Sequence, residues 1–277
     1  KILEADTKEL RISIIHDSAA TTGISVCIRK SSPVIRNTIS GMVKDKYCPT
    51  DILMLLINCV TAGMNFVIGG EPGSGKTEFV KFLMQFILLE KRVITIEDSL
   101  EIHYSEINPD ADAVELRVGE DFSYTDAIKA CLRQNPMWLV LSEARSVEVT
   151  SLIEQWSTGV NGITTIHLDD LRKLPDRIEN MMNDVNDASR LENRIYRYVN
   201  VGVLIRREKE ADGGIRRYID QMCFYVREEH KNRVYMLVED GEIISRKIPA
   251  DIAKRLKLAG IDEFFWCDLD PFIKRGM

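Results

Sequence analysis

The chain has 277 residues, 45% of them hydrophobic and 29% charged, with a formal net charge of −6. This is ordinary globular composition, with apolar material for one large α/β domain and a smaller attachment. The acidic balance argues against a broad electrostatic footprint for nucleic acid, and no apolar run reaches the ~18 residues of a membrane-spanning helix.

Residues 1–48 read as the end of another domain followed by a linker. Arg11 to Ile15 and Ile24 to Ile28 are β-type runs joined by small residues including Gly23, which predicts a hairpin or loose two-strand unit. Asp45 to Pro49 reads as linker. A helix is predicted from Asp51 to Ala62, with Thr50 as its cap and Gly63 as its stop. From 65 to 205 strands and helices alternate, with strands at 65–69, 92–97, 138–142, 162–167 and 199–205. Helices are predicted over Glu78 to Leu89 and from a capping box at Ser123-Tyr-Thr-Asp126 to Gln134. This rhythm predicts a mostly parallel sheet covered on both faces. After 205, β-type segments at 215–226, 232–239 and 242–247 follow, with Asp240-Gly241 as a hairpin turn. A helix over Pro249 to Leu258 and an aromatic tail close the chain.

Six cysteines, at 27, 48, 59, 131, 223 and 267, include no C-x-x-C pair, so neither a zinc ribbon nor a redox pair is indicated. Cys59 and Cys131 lie in apolar helical runs and read as core thiols, which points to a reducing, cytoplasmic compartment. No segment reads as a signal peptide. The first residue is Lys1, not Met.

The most specific motif is Gly70 to Thr77, GEPGSGKT, which fits G-x-x-x-x-G-K-[ST] at every fixed position. Gly70, Gly73 and Gly75 permit backbone angles that a side chain forbids. With Glu71, Pro72, Ser74 and Glu78 they make up the loop whose exposed N–H groups can wrap the phosphate. Lys76 can reach the β/γ oxygens of ATP, and the Thr77 hydroxyl can take one position on Mg²⁺. An apolar run before the loop and a helix after it point a helix N-terminus at the anion.

In an open parallel sheet, ligands bind at the carboxyl ends of the strands. The second predicted strand ends in Glu97-Asp98, the third in Ser142-Glu143 and the fourth in His167. Glu143 follows four apolar residues and is the candidate for orienting the attacking water and for holding Mg²⁺ with Thr77. Glu97 and Asp98 form the second acidic site, with helix capping as the plainer role for one of them. His167 either senses the γ-phosphate or fills a polar core position. Arg117, Arg133, Arg145 and Arg29 are candidate cations, each with a surface ion pair as the alternative.

The order GEPGSGKT, VITIEDSLEI, LRQNPMWLVLSEAR and STGVNGITTIHLDD resembles the secretion or "traffic" ATPase family of type II and type IV secretion, type IV pili and conjugation. The resemblance spans about Ile24 to Arg217. It implies a RecA-like phosphate-loop core at 49–210, the remnant of an N-terminal domain at 1–48, and a C-terminal β-hairpin and helix extension at 211–277. It makes Glu97 and Asp98 the acids of the Asp box, Glu143 the Walker B glutamate and His167 the His-box histidine. Arg117 and Arg133 match arginines that approach the γ-phosphate, and Ile28-Arg29-Lys30 matches the strand that ends the N-terminal domain. Ser142 and Val160 stand where the family usually has Gly and His. Absence of a tetracysteine zinc motif directs the resemblance to the branch serving Tad-type pili and conjugation.

The family works as a homo-hexamer that hydrolyses ATP with Mg²⁺ at the cytoplasmic face of the membrane, on inner-membrane platform or secretion-channel proteins. The expectation is therefore a secretion or pilus-assembly ATPase, peripheral to the cytoplasmic membrane, with no stable nucleic-acid binding. The alternatives are an assembly scaffold that binds ATP without turning it over, and a nucleic-acid motor on the same core. Basic, aromatic-laced loops expected of the latter are missing between 98 and 170.

Overall fold

The computed structural model describes residues 1–7, 9–181, 188–269 and 272. Alternating runs at the N-terminus form three antiparallel strands, β1 (Ile2–Asp6), β2 (Leu10–Ile15) and β3 (Ser25–Lys30). The register sets Leu3 and Ala5 opposite Ile14 and Ile12, and these opposite Val26 and Ile28, so one face of this sheet is apolar. The other carries Asp6, Arg11 and Arg29. The apolar face is open, with Leu3 and Ile28 both 59% exposed.

The rest of the chain follows as α1 (Ile39–Lys44), α2 (Thr50–Thr61), β4 (Phe66–Gly70), α3 (Lys76–Met84), β5 (Val93–Glu97), α4 (Tyr104–Ile107), β6 (Ala113–Arg117), α5 (Tyr124–Cys131), β7 (Trp138–Leu141), α6 (Glu148–Ser157) and β8 (Asn161–Ile166). It closes with α7 (Leu174–Glu179), α8 (Ala188–Tyr198), β9 (Val201–Lys209), β10 (Ile215–Glu228), β11 (Lys231–Glu239), β12 (Glu242–Ile243) and α9 (Ala250–Leu258). The described strands from β4 on make one sheet in the order β12-β11-β10-β9-β4-β8-β7-β5-β6. From β9 to β6 every neighbour is parallel; β9 to β12 form an antiparallel meander.

Every residue of β4, β5 and β7 is buried, which is why these strands read as continuous apolar runs rather than alternating ones. On one face α2 and α3 supply Ile52, Leu53, Phe79 and Phe82. On the other α5, α6 and α8 supply Ile128, Leu152, Ile153 and Ile195. Each such side chain contributes roughly 1.5–3 kcal/mol on burial, so these two helical layers hold the fold. Met42, Tyr47 and Cys48 join the first layer. All six cysteines are free.

Some local expectations change. The N-terminal hairpin gains β1 as a third strand. Helix α2 begins at Thr50 itself, with Pro49 at the cap and no side-chain cap bond. The helices expected to run to Leu89 and Gln134 end at Met84 and Cys131, in turns closed by Phe86 N–H to Leu83 C=O and Gln134 N–H to Cys131 C=O. The strand expected over 242–247 is two residues long. The capping box at Ser123 and Asp126 forms with both of its bonds. Asp240 and Gly241, at φ 52° and 78°, make the two-residue turn between β11 and β12.

Candidate nucleotide-binding site

Gly70, Gly73 and Gly75 adopt φ of 148°, 75° and 97°, and turn the chain from the end of β4 into the first residue of α3. Lys76 Nζ curls into this loop and donates to the carbonyls of Gly70 at 2.9 Å and Glu71 at 3.0 Å. Those carbonyl oxygens stand in for the phosphate oxygens the ammonium would meet. Burial lowers the Lys76 pKa to about 8, with Glu143 acting in the opposite direction. Desolvation disfavours the charged form of this lysine, and a phosphate anion beside it would favour that form.

The carboxyl ends of the neighbouring strands meet the loop in a cleft of about 750 Å³. His167, just past β8, places Nε2 2.8 Å from Glu143 Oε1 and Nδ1 3.3 Å from Lys76 Nζ. Nε2 thus faces the carboxylate, while Nδ1 lies between the Lys76 ammonium and the Gly70 carbonyl, 3.2 Å from the latter. Glu143, just past β7, also accepts from Arg145 Nε at 2.8 Å, and Arg145 Nη1 donates to Asp98 Oδ2 at 2.7 Å. These bonds raise the Arg145 pKa further, the bond to Glu143 most. Lysine, histidine, glutamate, arginine and aspartate thus form one continuous polar chain across the edge of the sheet. Ser142 has a partner: its hydroxyl lies 3.2 Å from the Tyr124 hydroxyl, which accepts the Asp98 N–H at 3.1 Å.

The three-stranded sheet forms the facing wall with Arg11, Arg29 and Lys30. The segment after it is bolted to the core at two points. Ser31 Oγ donates to Leu100 C=O at 2.9 Å and lies 2.9 Å from His103 Nε2. Lys81, buried in α3, donates from Nζ to Ser32 C=O at 3.0 Å and to Glu78 at 3.2 Å.

Three expected site residues lie elsewhere. Glu97 does not line the cleft. It is fully buried, and its Oε2 accepts the N–H groups of Glu101 at 2.9 Å and Ile102 at 3.0 Å. Burial pushes its carboxyl up to about 7 against the pull of those two donors. Its work is to shape the loop that follows β5, because successive strand residues point to opposite faces and Asp98 takes the exposed one. Arg117, at the end of the edge strand β6, is paired with Asp6 of β1 rather than with the cleft. Arg133 is exposed beyond α5. That helix runs back from the carboxyl edge, so Arg133 sits at the opposite edge from the cleft of its own chain.

Glu101 is the residue that reading strand ends missed. Its Oε2 is 3.4 Å from Thr77 Oγ1, and both line the cleft. Its only signal is its place four residues after Glu97 in the Asp box. Thr77, Glu101 and Glu143 are hard oxygen donors, the set that suits Mg²⁺ shared with phosphate oxygens. Among the described residues no group of three or more His, Cys, Asp or Glu could hold a metal by itself. Mg²⁺ there would neutralise charge on the β- and γ-oxygens.

The comparisons with known proteins agree with this geometry. A protein of Bacillus anthracis, itself uncharacterized, is 31% identical over 201 residues, which is 72% of this chain and 45% of that one. The type IV secretion system protein VirB11 of Brucella suis is 29% identical over 187 residues, 63% of this chain and 51% of that one. The chain thus spans about half the length of these curated relatives. The crystal structure of the VirB11 ATPase from the Brucella suis type IV secretion system, in complex with sulphate, superposes with a TM-score of 0.54 at 26% identity, over 80% of this chain and 73% of that one. The pilus retraction motor PilT with bound ADP gives 0.60 at 17% identity, covering 93% and 66%, a likeness of fold alone. With a RecA-like sheet, a phosphate loop at its carboxyl edge and residues 3–201 matching one family along their length, the chain belongs to the type II/IV secretion system protein family.

Proposed function

We propose that this chain is the motor part of a secretion or pilus-assembly ATPase, hydrolysing ATP with Mg²⁺ at the cytoplasmic face of a membrane machine, in the branch that serves Tad-type pili and conjugation. The observation that carries it is the convergence of Lys76, Thr77, Glu101, Glu143 and His167 on one cleft whose facing wall is cationic. Lys76 and the loop N–H groups seat the phosphates. Thr77, Glu101 and Glu143 hold the metal through oxygen. Glu143 orients the attacking water and takes its proton. Glu143 pairs with His167 and Arg145, so these bonds must part for it to act as the base. Arg11, Arg29 and Lys30 then meet the phosphate charge.

The working unit of this proposal is a homo-hexamer acting on inner-membrane platform or secretion-channel proteins. Arg133 faces away from its own cleft, so any role it has at a phosphate is in a neighbouring subunit. No helix of the described residues is long and apolar enough to cross a membrane, in keeping with attachment through partners. Phosphate release by the full-length protein, titrated by concentration alongside light scattering, tests the proposal. Activity that rises with assembly and is lost in Lys76→Ala is the expected result. ATP binding without phosphate release would establish the scaffold reading instead, and stimulation by added DNA would favour the nucleic-acid motor.

A further inference from the structure

Strand β4 lies between β8 and β9, so the phosphate loop at its tip has two flanks. The β8 flank carries His167 and Glu143. The β9 flank carries two arginines that the motifs do not assign. Arg207 and Arg217 are directly opposite one another on β9 and β10. Ile205 and Ile219, two residues away along each strand, belong to the apolar layer that includes Phe79 and Val80 of α3. By the two-residue period, Arg207 and Arg217 continue that same face past the end of β4, over the loop.

Their approach is close. A β-carbon on Gly73 would stand 3.1 Å from Arg207 Nη1, and one on Gly75 would stand 3.2 Å from Arg217 Cδ. Gly73 and Gly75 both line the cleft. Like charges set directly opposite on an antiparallel pair are destabilising, and neither arginine has an ion-pair partner among the described residues. Their neighbours differ: Arg206 is paired with Asp220 at 2.5 Å, and Arg216 lies over the ring of Tyr218 at 4.7 Å. The chain thus places an unneutralised cation pair against the loop glycines.

We propose that Arg207 and Arg217 clamp the α-phosphate end of a nucleoside polyphosphate on the loop. A polyphosphate whose γ end meets Glu143 and His167 on the β8 flank presents its α end on the β9 flank. Arginine suits the position because its planar fork binds phosphate oxygens in pairs. The clamp grips ADP and ATP alike, since both carry the α- and β-phosphates. It therefore sets affinity for the nucleotide as a whole, where the β8 flank tells triphosphate from diphosphate. This deepens the proposed function and rests on the ATP reading of the same loop.

ADP and a non-hydrolysable ATP analogue, titrated calorimetrically into the full-length protein and into Arg207→Gln and Arg217→Gln, test the clamp. Each variant is expected to bind both nucleotides about tenfold more weakly, the loss of one charge-assisted contact. Without nucleotide each should unfold at a temperature equal to or above the parent, because the repulsion is relieved, while the ADP-induced rise in that temperature shrinks. Unchanged ADP affinity in both variants overturns the clamp, as does a loss confined to the ATP analogue, which would move the arginines to the γ end. A lowered unfolding temperature without nucleotide, with ADP affinity kept, would make them structural and also overturn it. If the parent protein itself binds no ADP, the ATP reading falls and the clamp with it. If the parent binds and the variants bind equally, the clamp alone falls.

Discussion

The two sheets of this molecule are built on different terms. In the long sheet, β4, β5 and β7 are buried along their whole length between helical layers. In the short one, every residue of β3 is exposed. The short sheet meets the core through polar contacts: Asp6 to Arg117 and Ser99, and Ser31 to Leu100 and His103. One wall of the cleft is therefore held by apolar packing that admits a single arrangement. The other is held by hydrogen bonds and ion pairs, which exchange readily with water and are individually worth little. The wall with the bound lysine and carboxylates is rigid, and the wall with Arg11, Arg29 and Lys30 can be repositioned at small cost.

The sharpest break of this contrast strikes the rigid wall. Glu143→Gln keeps the shape and removes the base, so turnover should fall ~10²–10⁴-fold while binding of an ATP analogue by calorimetry is retained. Near-parental turnover would transfer the water-orienting role to another acid of the cleft, Asp98 or Glu101. Lys76→Ala removes the loop cation, and affinity for the same analogue should drop by about two orders of magnitude. Binding at parental strength would dismiss the phosphate loop as the nucleotide site.

Glu97 gives a smaller effect with a defined sign. Its folded pKa of about 7 lies above the ordinary 4.5, so the folded chain keeps a proton that the unfolded chain releases. Its share of stability is full below about pH 4.5 and is lost as the pH rises through 7, on the order of 1–3 kcal/mol in all. Glu97→Gln should flatten this slope, leaving the variant at least as stable as the parent at pH 8 by denaturant titration. A slope unaltered between pH 5 and 8 would assign it to other groups.

The mildest change addresses the polar seam. Asp6→Ala frees Arg117, which is half-exposed in the pair, so global stability should move by less than ~1 kcal/mol. Amide exchange in residues 1–30 should speed up while that in β4 and β7 stays fixed. Equal acceleration in both regions would mean that the two sheets open as one unit, and the contrast between them would fail.

The same contrast explains what could be read from the residues alone. GEPGSGKT is legible because each position has a purely local role, with left-handed backbone at the glycines, one cation and one hydroxyl. The capping box at Ser123 and the Asp240-Gly241 turn are legible for the same reason. Glu97 and Asp98 could not be ranked by sequence, because adjacent strand residues point to opposite faces and only tertiary packing decides which is buried. Arg117 and Arg145 are alike as isolated arginines; the position of Asp6, more than a hundred residues from Arg117, separates them. β6 escaped notice because an edge strand is only half-buried and its apolar signal is diluted. Arg207 and Arg217 become a pair only once the register of β9 and β10 is known.

The joint at Ser31 has a mechanical consequence. Its hydroxyl holds the Leu100 carbonyl, and Leu100 lies between Asp98 and Glu101, the two acids that line the cleft from that loop. Just beyond it, Lys81 of the phosphate-loop helix grips the same segment. A tilt of the short sheet about this point must pull on the loop that carries these acids or part the bonds. The sheet is the long arm of a lever, the Leu100 carbonyl its short arm, and α3 the bearing on which it turns.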